Sequence, residues 1–226
     1  MDLSNAADKV FPYVVAMGFT PSPSFKPGMG EKPEIAWGTG LILGRSNHVL
    51  TAHHMLRPGW FGCFATNPPG KPPVRQKAGP YGPVAEFPQH DLAILRVQNL
   101  DIDFLKQVSP LKFSFESPNY GKPLGSFGYP RPIFSADDIG GFVDLNMWLK
   151  FKSFYVAGLD QESGTSVVHL DSFSYGGHSG GPVFDWQGRV LAIVTCSELD
   201  QTGSFPISYS HASMIRNIKD EIGKYI

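Results

Sequence analysis

Short apolar runs, many of them β-branched, alternate along the chain with clusters of glycine, proline and polar residues. That pattern predicts strands and turns far more than helices. Residues 10–19 form the first run, after a polar lead over residues 1–9 that predicts a flexible segment or a short helix. Residues 20–33 are rich in proline and glycine and predict a loop. Residues 35–43 and 47–52 then predict a hairpin around Gly44-Arg45-Ser46-Asn47. The unbroken apolar run over residues 92–97 predicts a buried strand, and residues 121–129 and 142–157 predict further strands with a loop at 134–141 between them. Residues 165–170, 182–184, 189–196 and 205–209 complete the set, with Asp185-Trp186-Gln187-Gly188 as a hairpin turn.

Helical spacing is confined to two places. Residues 101–108 predict a short helix, and Ala212, Met214, Ile215, Ile218 and Ile222 predict a C-terminal helix capped by Ser210. Residues 66–88 hold seven prolines, which argues against a central strand or a helix and predicts a surface loop. Its place between His54 and Asp91 gives it a second possible role, packing over a cleft.

Composition narrows the picture. A chain of 226 residues suits one globular unit, and 42% hydrophobic against 17% charged residues is enough for a packed core. The formal net charge of −1 gives no reason to expect nucleic acid or an anionic membrane as partner. No run approaches the roughly 18 apolar residues of a membrane-spanning helix, and Lys9 and Pro12 interrupt any signal-peptide core. The simplest expectation is a cytoplasmic location. Cys63 and Cys196 are the two cysteines; they could pair, but the place of Cys196 in the apolar strand that follows the serine motif favours free thiols.

Chemistry concentrates in Tyr175-Gly176-Gly177-His178-Ser179-Gly180-Gly181-Pro182. A serine flanked by glycine pairs makes sense if the backbone curls tightly, with Ser179 outward and nearby N–H groups converging. The bland alternative is a glycine-rich turn. Upstream stand Val49-Leu50-Thr51-Ala52-His53-His54-Met55 and His90-Asp91-Leu92-Ala93-Ile94-Leu95. Adjacent residues on a strand point to opposite faces, so His53-His54 is a poor metal pair. The acidic pair Asp137-Asp138 reads as a solvated turn, because no further ligands are spaced nearby.

These three motifs, in the order His, Asp, Ser, resemble those of the chymotrypsin-like (trypsin-fold) serine proteases. Trp37-Gly38-Thr39-Gly40, the stretch from Gly121 to Pro130 and the run from Val190 to Thr195 extend the likeness over about residues 10–210. It is nearest to the bacterial and Deg-type members, without the PDZ domain of the full Deg architecture. The resemblance implies an all-β fold of two six-stranded antiparallel β-barrels with a C-terminal α-helix. The N-terminal barrel is expected at 10–108, the C-terminal barrel at 118–209 and the helix at 210–226.

The same resemblance implies a serine endopeptidase acting on protein or peptide substrates without a cofactor. His54 would be the base by the Thr-Ala-x-His register, with His53 in a position usually held by a small residue. Asp91 would orient it, and Ser179 would be the nucleophile. The backbone N–H groups of Gly177 and Ser179 would form the oxyanion hole. Phe173, Ser174, Thr195, Cys196 and Ser197 would line the pocket for the residue before the scissile bond (P1). The absence of charge among them implies a small or medium apolar P1. His178 stands where zymogen-type relatives carry an aspartate, so activation by a cut N-terminus is not expected. A non-catalytic or gated binding module on the same fold, or an esterase using the same triad, are the alternatives.

Overall fold

A computed structural model describes residues 3–21, 36–44, 46–79, 81–130, 133–136, 143–146, 149–162, 164–172, 174, 176–200 and 207–226. Strands dominate, as the sequence pattern predicts. The N-terminal half contributes β1 (Val14–Thr20), β2 (Ala36–Ile42), β3 (His48–Ala52), β4 (Phe61–Thr66), β5 (Val74–Gly79), β6 (Tyr81–Phe87) and β7 (Leu92–Val97). They follow the order β5-β4-β1-β2-β3-β7-β6 in one sheet. β5 and β6 lie at opposite ends of that order yet are separated in the chain only by Pro80. The covalent link therefore ties the two ends of the order together, and the sheet curls into a barrel-like shape.

The C-terminal half adds β8 (Lys112–Phe113), β9 (Pro123–Gly128), β10 (Ile133–Ala136), β11 (Val143–Asn146), β12 (Lys150–Glu162), β13 (Thr165–Leu170), β14 (Pro182–Phe184), β15 (Arg189–Asp200) and β16 (Ile207–Met214). The order β14-β9-β12-β13-β16-β15 is closed by pairing of β14 with β15, while β8 adds to β15 in parallel and β10 and β11 form a separate hairpin. Alternation drives the closure. Along β13, Ser166, Val168 and Leu170 are buried while the intervening residues are partly exposed, the period-2 signature of a strand with one face inward.

Two apolar clusters result. One fills the second barrel with residues such as Leu124, Phe154, Val168 and Ala212. The other fills the first barrel and continues across the seam to Phe127, Phe184, Ile193 and Ile215. A helix, α1 (Ser4–Val10), precedes β1 and buries Ala6 and Val10 in this second cluster. Its Lys9 Nζ donates to Gln187 O at 3.4 Å. Phe127 stacks on Phe184 at 5.6 Å between ring centres and meets Phe11, just after α1, edge-on at 6.0 Å. The N-terminal segment is thus fastened to the second barrel by aromatic contact.

Three expectations are corrected. The proline-rich stretch is not a loop throughout: β5 and β6 lie within residues 66–88. The described prolines fall outside the strands, at a register shift or at a turn. Pro68, Pro69, Pro72 and Pro73 precede β5, Pro80 separates the strands, Pro83 sits at a register shift, and Pro88 opens a 3-10 turn. Nor does a helix begin at Ser210. β16 runs on to Met214, a 3-10 turn follows at Ile215–Ile218, and α2 spans only Lys219–Ile222. Cross-strand pairing with β13 and β15 on both sides outweighs the local helical spacing. The stretch expected as a loop at 134–141 includes most of β10; Asp137 and Asp138 lie outside the described residues. Among the described residues no helix is long and apolar enough to cross a membrane.

Phe127 is 5% exposed and joins the two barrels to the N-terminal segment. Phe127→Ala is expected to cost about 3–5 kcal/mol of unfolding free energy, read from urea denaturation.

Candidate active site

His54 lies in a 3-10 turn, His53–Met55, that directly follows β3. β3 pairs with β7, with Ala52 opposite Leu92, so the residue just before β7 comes alongside the histidine turn. That residue is Asp91, held in the left-handed region at φ 48°, a conformation aspartate tolerates better than most side chains. The carboxylate is bound twice by one residue. His54 N–H donates to Asp91 Oδ1 at 2.8 Å, and His54 Nδ1 lies 2.7 Å from Asp91 Oδ2. His53 N–H donates to Asp91 O at 3.0 Å and fixes the turn from behind. A proton on Nδ1 shared with this carboxylate leaves Nε2 as an acceptor.

Ser179 sits in the glycine turn between β13 and β14. Gly177 has φ +98° and Gly180 has φ +85°, both outside the range of ordinary L-residues. Space demands glycine there as well: a Cβ on Gly177 would run into the Tyr129 carbonyl, and one on Gly180 into Thr39 O and Thr51 Oγ1. The turn is bonded into the second barrel by Gly180 N–H to Val194 O at 2.8 Å and Val194 N–H to Gly181 O at 2.9 Å. It is bonded to the first barrel through Thr39. Thr39 N–H donates to Ser179 O at 2.8 Å, and Thr39 Oγ1 donates to Gly177 O at 2.6 Å.

These contacts bring the serine turn against the histidine turn. A Cβ added to Gly38 would meet both Ser179 O and the Met55 side chain, so the two turns flank one glycine. Among the described residues, no hydrogen bond joins Ser179 Oγ to His54 Nε2. The N–H groups of Gly177 and Ser179 likewise have no internal acceptor among the described residues.

Of the expected pocket residues, Ser174 is buried and its N–H donates to Ser210 Oγ at 2.6 Å. Ser210 Oγ lies 2.9 Å from Ser174 Oγ and 3.0 Å from Ser172 O. Thr195 is largely buried, with Oγ1 donating to His211 O at 3.4 Å. Cys196 and Ser197 are on β15, paired with His211 and Ser210, while their side chains and all of Phe173 lie outside the described residues. Ser210 escaped the sequence reading because helical spacing seemed to explain it. Only the β15–β16 pairing makes it visible.

Sequence reasoning also missed the polar partners that set the site. Thr39 was noted for its motif, not for its bonds. His53 turns its ring away to Glu86, with Nε2 2.9 Å from Oε2, and Glu86 belongs to the stretch expected to be a loop. His90 reaches across the seam instead of towards the Asp91 carboxylate: its Nδ1 lies 2.9 Å from Thr165 Oγ1, and burial lowers its pKa. The ring of His178 is buried against Gly128. Cys63 is a free thiol whose pKa is raised by burial. Among the described residues no group of three or more histidine, cysteine or carboxylate side chains could hold a metal ion.

Comparison with known proteins agrees with this geometry. The family model "Trypsin-like peptidase domain" matches residues 38–193. An uncharacterized protein of Sinorhizobium fredii, y4bJ, is 29% identical over 194 residues, covering 83% of this chain and 27% of that protein. Protease Do-like 7 of Arabidopsis thaliana is 26% identical over 206 residues, covering 90% of this chain and 18% of its own length. The chain therefore spans well under a third of either curated relative. Among solved structures, the active form of the Rv3671c protease from M. tuberculosis superposes with a TM-score of 0.66 at 20% identity, over 97% of this chain and 83% of that one. The serine endoprotease from Yersinia pestis superposes with a TM-score of 0.64 at 15% identity, over 100% and 67%. Two barrel-like sheets with the serine turn set against the histidine turn, and a family match over well over half of the sequence, make this chain a member of the trypsin-like peptidase domain family.

Proposed function

We propose that the chain is a serine endopeptidase in which His54, Asp91 and Ser179 act as the triad. The observation that carries the reading is the pair of hydrogen bonds that Asp91 makes with one residue, to both the N–H and the Nδ1 of His54. A serine hydroxyl is a weak nucleophile at neutral pH and needs a base as it attacks. His54 Nε2 takes the Ser179 proton as Oγ bonds to the carbonyl carbon, and Asp91 stabilises the imidazolium. The developing oxyanion is received by the N–H groups of Gly177 and Ser179, each worth roughly 3 kcal/mol of transition-state stabilisation. His54 then passes the proton to the leaving amine. The acyl group stays on Ser179 until a water, deprotonated by the same imidazole, releases it.

The pocket reading rests on Phe173, Ser174, Thr195, Cys196 and Ser197, none of which carries a charge. The hydroxyls of Ser174 and Ser210 are buried and engaged with each other, so they offer no charge to a basic or acidic P1. An uncharged lining of this kind supports a small or medium apolar P1 on a protein or peptide substrate. A gated enzyme is the second reading, with which the unmade Ser179–His54 bond is compatible, as it is with an active enzyme. Such bonds are commonly long before substrate arrives.

A fluorophosphonate probe is expected to label wild type and to leave Ser179→Ala and His54→Ala unlabelled. A folded wild type that resists the probe would favour the gated or binding-module reading. Asp91→Asn is expected to lower kcat by about 10⁴-fold, because the imidazole loses its enforced tautomer. Cleavage of a peptide library is expected mainly after Ala, Val or similar residues; cleavage mainly after Arg, Lys or Glu would overturn the pocket reading.

A further inference from the structure

Tyr129, the residue after β9, occupies an unusual junction. Its backbone N–H points at two acceptors, one on each side of the seam: Thr39 Oγ1 of the first barrel at 3.1 Å and Gly177 O of the serine turn at 3.3 Å. Its carbonyl packs so closely on Gly177 that no Cβ could be accommodated there. The ring is 1% exposed, and its hydroxyl accepts a hydrogen bond from Asn67 Nδ2. Burial raises the phenol pKa well above its ordinary value, partly offset by that bond, so the group remains neutral at working pH.

Asn67 belongs to the other barrel. It directly follows β4, is 3% exposed, and donates from the same nitrogen to Val14 O, the first residue of β1, at 2.6 Å. An amide nitrogen has two protons, and here both are committed. Asn67 is thus rigidly set by β1 and β4, and Tyr129 is a buried strut from that point to Gly177. Along this line two barrels that share no continuous sheet are joined by directional bonds, whose geometry is harder to slide than apolar packing.

We propose that Asn67 and Tyr129 are positioning residues for the oxyanion turn, acting through Gly177. This rests on the peptidase reading above. A peptide N–H must sit within hydrogen-bond reach of where the oxyanion forms, and small misplacements cost rate. Gly177 has the conformational freedom to flip its peptide, so something outside the turn must hold it. The Thr39 bonds do so from β2. The Tyr129 strut does so from β9, and its hydroxyl carries the hold back to β1 and β4.

The test compares wild type, Tyr129→Phe, Asn67→Ala and the double variant, each confirmed folded by near-UV circular dichroism. Tyr129→Phe keeps the ring and loses only the hydroxyl bond. It is expected to slow fluorophosphonate labelling about tenfold. A peptide aldehyde ending in valine forms a tetrahedral adduct that uses the hole, so its inhibition constant should rise about tenfold too. The matching peptide amide uses only the cleft, and its constant should change by less than about twofold. The double variant should label no more slowly than Asn67→Ala, since once Asn67 is gone the Tyr129 hydroxyl has no strut bond left to lose. Labelling of both single variants at the wild-type rate, or equal weakening of aldehyde and amide, would overturn the strut while leaving the peptidase reading intact. A folded wild type that is never labelled would remove the peptidase reading, and the strut with it.

Discussion

Thr39 bonds in four directions at the seam between the barrels, and the arrangement of the site depends on it. Its N–H holds Ser179 O, its hydroxyl donates to Gly177 O and accepts from Tyr129 N–H, and its own carbonyl accepts from Thr51 Oγ1 at 2.8 Å. Thr39 and Thr51 are both fully buried. A tight turn rich in glycine leaves backbone carbonyls that it cannot satisfy within itself, and burying them unpaired would be costly. Here they are satisfied by a strand of the opposite barrel. The serine turn therefore takes its shape only when both barrels are docked.

The same seam explains why the histidine turn is stiff. Asp91 is fixed through its carboxylate by His54 and through its carbonyl by His53, while the neighbouring His90 is tied to Thr165 in the second barrel. Thr165 Oγ1 in turn donates to Gln89 O at 3.0 Å. Both ends of the chemistry, the imidazole pair and the serine turn, are thus held by bonds that cross between halves of the molecule. Apolar packing supplies the cohesion, and these few polar bonds supply the register.

Much of this was legible in the chain. The alternating and unbroken apolar runs marked β2, β3, β7, β13, β14 and β15 close to where they lie, because strands with a buried face must repeat every second residue. The order of the histidine, aspartate and serine motifs singled out His54, Asp91 and Ser179, and the first two are in direct contact. Reading failed where local preference and tertiary pairing disagreed. Seven prolines between residues 68 and 88 suggested a loop, yet they occupy strand ends and a bulge and so spare the ladders of β5 and β6. The helical spacing after Ser210 was real in sequence and was overridden by pairing on both sides of β16.

The sequence by itself determined the all-β character, the glycine turn around Ser179 and which residues are the candidates for chemistry. Those features depend on backbone conformations and side-chain types that are encoded within a few neighbouring positions. Tertiary structure alone decided how the barrels close and which groups hold the site. The link through Pro80 gains meaning only once β5 and β6 find β4 and β7. Ser210 meets Ser174 only through the pairing of β15 with β16. Thr39, Asn67 and Tyr129 act on Gly177 over 138, 110 and 48 positions of chain, distances at which no local pattern reports a partner. Hydrogen bonds of that kind are set by the docking of two closed surfaces, and only the folded chain brings those surfaces together.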